Sequence, residues 1–220
     1  MSFAVEIWPS DGYAARAARW IAERMPSSGS LVLTGGGTAE KLYPVLRPDL
    51  SDVDTFFSDE RCVPPDHDAS NFALAHRLLL DRSRAARVHR MRGEDPPIQA
   101  ARAYHDELVP AVERGFDLMV LGMGDDNHIA ALFPNSAALI NPDALCLPVD
   151  RPDGLKGLTM TAPAIEAART ILLVVTGETK AEAVKRAVES DDDLLSCPVR
   201  LLADHSDTTF LLDEPAAALL

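Results

Sequence analysis

The stretch Phe116–Pro134 reads FDLMVLGMGDDNHIAALFP. Its opening run, Phe116 to Leu121, is apolar except for Asp117. It empties into Gly122, Gly124, Asp125, Asp126, Asn127 and His128 before the chain turns apolar again. A solid apolar run without alternation is the pattern of a strand buried on both faces, as in a parallel sheet covered by helices. In such sheets ligands sit beyond the carboxyl ends of the strands. A knot of ionisable side chains thus stands where a site belongs.

Outward from this stretch, helical and strand patterns alternate along the chain. SLVL, DVDTFF, ARVHRM, RTILLVVTG and TTFLLD read as further strands, and ALCLPV with LKGLTMT as a small antiparallel pair. GYAARAARWIAERM, TAEKLYPVL, NFALAHRLLL (capped by Ser70), IQAARAYHDELVPAVERG, APAIEAA, ETKAEAVKRAVES and the terminal EPAAALL read as helices. The alternation predicts an α/β fold, a mostly parallel sheet with helices on both faces and small additional antiparallel strands. The 220 residues suit a single domain, 1–220.

The totals narrow the function. With 21 cations against 34 anions the net charge is −13, which argues against a nucleic-acid surface or an anionic membrane as partner. Only four cations are lysines, Lys41, Lys156, Lys180 and Lys185, so an anionic ligand needs positive groups gathered locally. The three cysteines form no C-x-x-C pair, and the N-terminus has no basic region before an apolar one. The apolar runs are too short to span a membrane. A cytoplasmic protein is the expectation.

The residues after each strand carry the chemistry. After SLVL comes TGGGTAEKLY, in which Gly35, Gly36 and Gly37 free backbone N–H groups to close around an anion, and Thr38 adds a hydroxyl. The same glycines also suit a turn that serves packing alone. After DTFF come Asp59, Glu60 and Arg61; Arg61 offers a bidentate fork to a phosphate, although the trio equally reads as a surface ion cluster. After FDLMVL, His128 lies two residues past Asp126, so the carboxylate can orient an imidazole serving as general base. Gly122-x-Gly124 lacks the third glycine of a dinucleotide fingerprint, and no cofactor is implied. After RTILLVV, Lys180 falls in the first turn of the next helix, whereas Arg169 precedes that strand and reaches the rim only if the chain folds back. The remaining histidines have no mutual spacing that suggests a metal, and none is expected.

These blocks, TGGGTAEKLYPVL, FFSDERCVPPDHDASN, FDLMVLGMGDDNHIAALFP and ARTILLVVTGETKAEAV, resemble in order those of the 6-phosphogluconolactonase family, over nearly the whole chain. The resemblance implies a modified Rossmann-like α/β fold, shared with the glucosamine-6-phosphate isomerases (deaminases) and some sugar-phosphate sensor domains. It implies hydrolysis of 6-phospho-D-glucono-1,5-lactone to 6-phosphogluconate, without metal or cofactor, by a monomer or homodimer. His128 is then the base that activates water and Asp126 its orienter. Gly35, Gly36, Gly37 and Thr38 hold the phosphate with Arg61 and Lys180, with Asp59 and Arg169 also assigned to substrate. The alternatives are an isomerase or deaminase of the sister branch, which Arg169 favours, and a non-catalytic sensor domain. The chain departs from the family pattern at Asn127, where glycine is expected, and at Ala39, where proline is expected. A left-handed backbone is the expectation at Asn127, with a tolerated, non-catalytic side chain.

Overall fold

The computed structural model describes residues 4–220. In chain order it comprises β1 (Ala4–Trp8), α1 (Tyr13–Arg24), β2 (Gly29–Leu33), α2 (Gly36–Leu42), β3 (Val53–Phe57), β4 (Asp59–Arg61), α3 (Asn71–Leu78) and β5 (Arg87–Val88). There follow α4 (Pro97–Arg114), β6 (Phe116–Leu121), β7 (Cys146–Asp150), β8 (Lys156–Met160), α5 (Ala162–Glu166), β9 (Ala168–Val175), α6 (Ala181–Glu189) and β10 (Thr208–Asp213).

Seven strands form a sheet in the order β1-β10-β9-β6-β2-β3-β5, and its pairings are all parallel. The apolar runs are solid because each strand feeds two cores. Leu118, Val120, Leu172 and Val174 pack with Tyr13, Trp20, Ile21, Leu42 and Leu74 on one face. Their neighbours Met119, Leu121, Ile171 and Leu173 pack with Tyr104, Leu108, Ile165 and Val184 on the other. A second, three-stranded antiparallel sheet has the order β4-β8-β7, and its Leu158 and Met160 join the second core.

From β2 the chain steps outward to β3 and β5, then returns through α4 to β6 on the other side of β2 and continues to β9 and β10. The order therefore reverses between β2 and β6, and a crevice opens there beyond the strand ends. The loop after β2 carries the three glycines, and the loop after β6 carries His128.

Two expectations are corrected, and an N-terminal strand adds to those expected. The N-terminal AVEIW is a strand, pairing in parallel with β10, although Glu6 and its exposed neighbours give it no apolar run. EPAAALL is not a helix but a series of turns, drawn in where Asp213 Oδ1 accepts the N–H of Ala216 at 2.9 Å; so short a segment at a chain end does not sustain a helix alone. Of ARVHRM only Arg87–Val88 pairs, along β3.

Candidate active site

The crevice is a cavity of about 340 Å³ lined, among others, by Gly35, Gly36, Gly37, Thr38, Asp59, Arg61, His128 and Lys180. Four strand-end loops that are distant in sequence thus converge as the parallel topology requires.

His128 and Asp126 form a hydrogen-bonded pair in the wall: Nδ1 lies 2.6 Å from Asp126 Oδ1, and the same oxygen accepts the His128 N–H at 3.2 Å. With Nδ1 committed, Nε2 is the nitrogen left for a ligand. The fold over the loop is tight. A Cβ on Gly124 would stand 2.1 Å from His128 Nδ1 and 2.7 Å from Asp126 Oδ1, so this position admits only glycine. Burial works to raise the Asp126 carboxyl, but the hydrogen bonds and charge of His128 outweigh it and hold it below the ordinary 3.8. The Phe133 ring packs on the imidazole, centroid to centroid 4.6 Å.

Asn127 does adopt a left-handed conformation, φ 67°. Its amide has a task that the sequence did not reveal: it is fully buried and donates to the Ala183 carbonyl of α6 at 2.6 Å. Its own carbonyl accepts the N–H of Val199 at 3.0 Å. The residue beside the imidazole is thereby tied to two distant segments.

Arg61 reaches the cavity from β4. Nη1 donates to the Ala69 carbonyl at 2.7 Å, and Nε is buried without a partner. Beneath it, the buried Glu60 carboxylate accepts the N–H groups of Arg61, Asn71 and Phe72 at 2.7–2.8 Å and the Ser70 hydroxyl at 2.9 Å. Burial pushes Glu60 up, and these four donors pull it back. Lys180 stands at the start of α6, preceded by a short turn over Glu178–Lys180, and pairs with the exposed Asp125. Thr38 Oγ1 donates to the Val174 carbonyl at 3.2 Å.

Two assigned residues are placed otherwise. Arg169 sits at the N-terminal end of β9, the far end of the sheet from the cavity, where it pairs with Asp117 and donates to the Arg114 carbonyl. A strand eight residues long separates it from the rim, and the chain does not fold back. Asp59 does line the cavity, but its carboxylate is taken up by the Ser58 hydroxyl at 3.1 Å and the Asn71 amide at 3.0 Å, and it faces Arg151 at 3.8 Å. Its oxygens are therefore engaged within the cavity wall.

The cavity also holds Lys41, Asn71, Arg151 and Thr176, which sequence reasoning missed. Arg151 carried a signal, a cation at the tip of the hairpin between two predicted antiparallel strands. Nothing in the sequence placed that hairpin against β4.

The chain is similar to known proteins over most of its length. The sequence profile of the family described as glucosamine-6-phosphate isomerases/6-phosphogluconolactonase matches residues 10–211. A 6-phosphogluconolactonase of Synechocystis is 35% identical over 91% of this chain and 88% of its own. One from Mycobacterium tuberculosis is 34% identical over 100% of this chain and 99% of its own. The crystal structure of a 6-phosphogluconolactonase from Shewanella baltica superposes with a TM-score of 0.84 at 30% identity, covering 96% of this chain and 97% of that one.

Proposed function

Because the chain belongs to the glucosamine-6-phosphate isomerase/6-phosphogluconolactonase family, we propose that its cavity hydrolyses 6-phospho-D-glucono-1,5-lactone to 6-phosphogluconate. The observation that carries this reading is the His128–Asp126 pair, 2.6 Å apart, in the same cavity as the glycine loop, Arg61 and Lys180. A base for water and a cluster of cations for phosphate are what a phosphorylated lactone needs.

The phosphate lies against Gly35, Gly36 and Gly37, held by Arg61 and Lys180. The unpartnered Arg61 Nε is a donor awaiting an acceptor, and charge-assisted bonds of this kind contribute roughly 1.5–3 kcal/mol each. Binding frees Lys180 from the exposed Asp125. With the phosphate fixed, C1 stands beside His128. Nε2 takes a proton from water as the oxygen attacks C1, while Asp126 steadies the imidazolium; such base catalysis contributes roughly 10²–10⁴ in rate. The returned proton goes to the ring oxygen as the ring opens. Cys62, Cys146 and Cys197 are free thiols, which supports a cytoplasmic setting.

The sister activity, deamination of glucosamine 6-phosphate, loses its one sequence mark with Arg169 placed away from the cavity. Acid release from fresh lactone, followed against its spontaneous opening, tests the reading alongside ammonia release from glucosamine 6-phosphate. Acid well above background without ammonia is the expected result; ammonia alone overturns it.

A further inference from the structure

One cation of the cavity comes from the hairpin of the small antiparallel sheet. Arg151 follows β7 at the tip of the hairpin DRPDG, Asp150–Gly154. Its side chain is only 9% exposed, yet it lines the cavity. Three supports fix it. Nε and Nη2 donate to Asp153 Oδ2 at 3.1 and 3.0 Å. The stem lies over Gly157, where a Cβ would stand 2.9 Å from its Cδ. The guanidinium carbon is 5.5 Å from the Phe133 ring centroid, and that ring is 4.6 Å from the His128 imidazole. Guanidinium and imidazole therefore flank one aromatic ring and face one cavity.

The remaining nitrogen is the informative one. Nη1 faces Asp59 Oδ2 at 3.8 Å, beyond hydrogen-bond reach, and among the described residues it makes no hydrogen bond. Asp59 is already committed to Ser58 and Asn71. A largely desolvated guanidinium with one donor edge unused is stabilised when an anionic ligand completes it.

We propose that Arg151 receives the negative charge that develops at C1, first as oxyanion and then as carboxylate. This rests on the lactonase reading above. The water oxygen bonds to C1 as His128 takes its proton, and the carbonyl π pair moves onto the C1 oxygen beside Nη1. The C1–ring oxygen bond then breaks, the ring oxygen takes the proton from His128, and the new carboxylic acid releases its proton to solvent. Arg151 holds the carboxylate that results. The cavity thus offers C1 a guanidinium that shares the Phe133 ring with His128. Asp153 is a positioning residue for Arg151.

Calorimetry with 6-phosphogluconate and glucitol 6-phosphate tests this, since the two ligands share a phosphate and differ at C1. Wild type is expected to prefer the carboxylate ligand by roughly tenfold or more. R151M erases that preference by weakening 6-phosphogluconate alone, and R151K, which keeps the charge without the planar fork, retains part of it. In the lactone assay R151M lowers kcat by roughly 10²–10³ and moves KM little, because the ground-state carbonyl is uncharged. Equal affinity of wild type for both ligands overturns the proposal. So does an equal loss for both in R151M, which would make Arg151 a phosphate ligand, or an unchanged preference in both variants. Failure of wild type to open lactone above background rejects the lactonase reading instead, and the two binding series still report which end of a phosphorylated acid Arg151 holds.

Discussion

His128 is the residue on which the chemistry turns, and the proposed roles around it separate experimentally. His128→Asn keeps the size and polarity of the side chain, so the melting temperature should hold while turnover falls by roughly 10²–10⁴. Near-normal turnover would remove His128 from the mechanism. Asp126 has a pH signature. Its carboxyl is depressed in the folded state by His128, so its contribution to stability is present above the ordinary carboxylate value and is lost as pH falls through the folded one. The difference in melting temperature between wild type and Asp126→Asn should therefore shrink as pH is lowered from about 6 to about 3; a constant difference would mean the pair is not coupled to folding. Asn127 carries a third test. Asn127→Gly relieves the left-handed backbone but loses the bond to Ala183, with a net cost of about 1 kcal/mol and turnover within a few-fold. Asn127→Val forces a β-branched residue to positive φ and should cost clearly more in both stability and activity. Matched melts and assays in which valine is as mild as glycine would sink that account.

At the scale of elements, β4 and α3 are held as a unit by one buried carboxylate. Ser70 caps α3 by accepting the Ala73 N–H at 3.1 Å, and its hydroxyl donates to Glu60. The Tyr104 hydroxyl of α4 pins the corner above, accepting the Phe57 N–H at 2.8 Å and donating to the Phe57 carbonyl at 3.0 Å. Between them the chain leaves the parallel sheet after β3 and enters the small antiparallel one as β4, which is how Arg61 comes to face the cavity. Ser70→Ala removes a cap and one of Glu60's donors. Chemical denaturation should show a loss of roughly 1–2 kcal/mol, with weaker binding of 6-phosphogluconate as Arg61 loosens. Unaltered binding in a destabilised protein would separate the cap from the site. The Ser70 cap was readable from the sequence, because an N-cap is a local hydrogen bond. The task of Glu60 was not, because three of its four donors, from Ser70, Asn71 and Phe72, become neighbours only when α3 docks on β4.

Over the whole molecule, a net charge of −13 surrounds a cavity that gathers Lys41, Arg61, Arg151 and Lys180. Screening should relieve the self-repulsion of the surface more than it weakens exposed pairs, so the melting temperature is expected to rise as salt increases from low ionic strength. A falling temperature would show that attractive pairs dominate. The sequence by itself determined the class of fold and the strand-end loops: solid apolar runs separated by helical periods admit a covered parallel sheet, and a parallel sheet carries its loops to one rim. It also determined the His128–Asp126 pair and the bend at Asn127, since residues one or two apart meet whatever the rest of the chain does. Only the tertiary structure decided which distant cations share the cavity. Arg169 is one strand length from Lys180's neighbourhood, and strand direction sends it to the opposite end of the sheet. Arg151 sits on a hairpin that Gly157 pairs with Arg61 across β8 and β4. Such long-range pairings depend on register between segments about a hundred residues apart, which leaves no periodicity in the sequence of either segment.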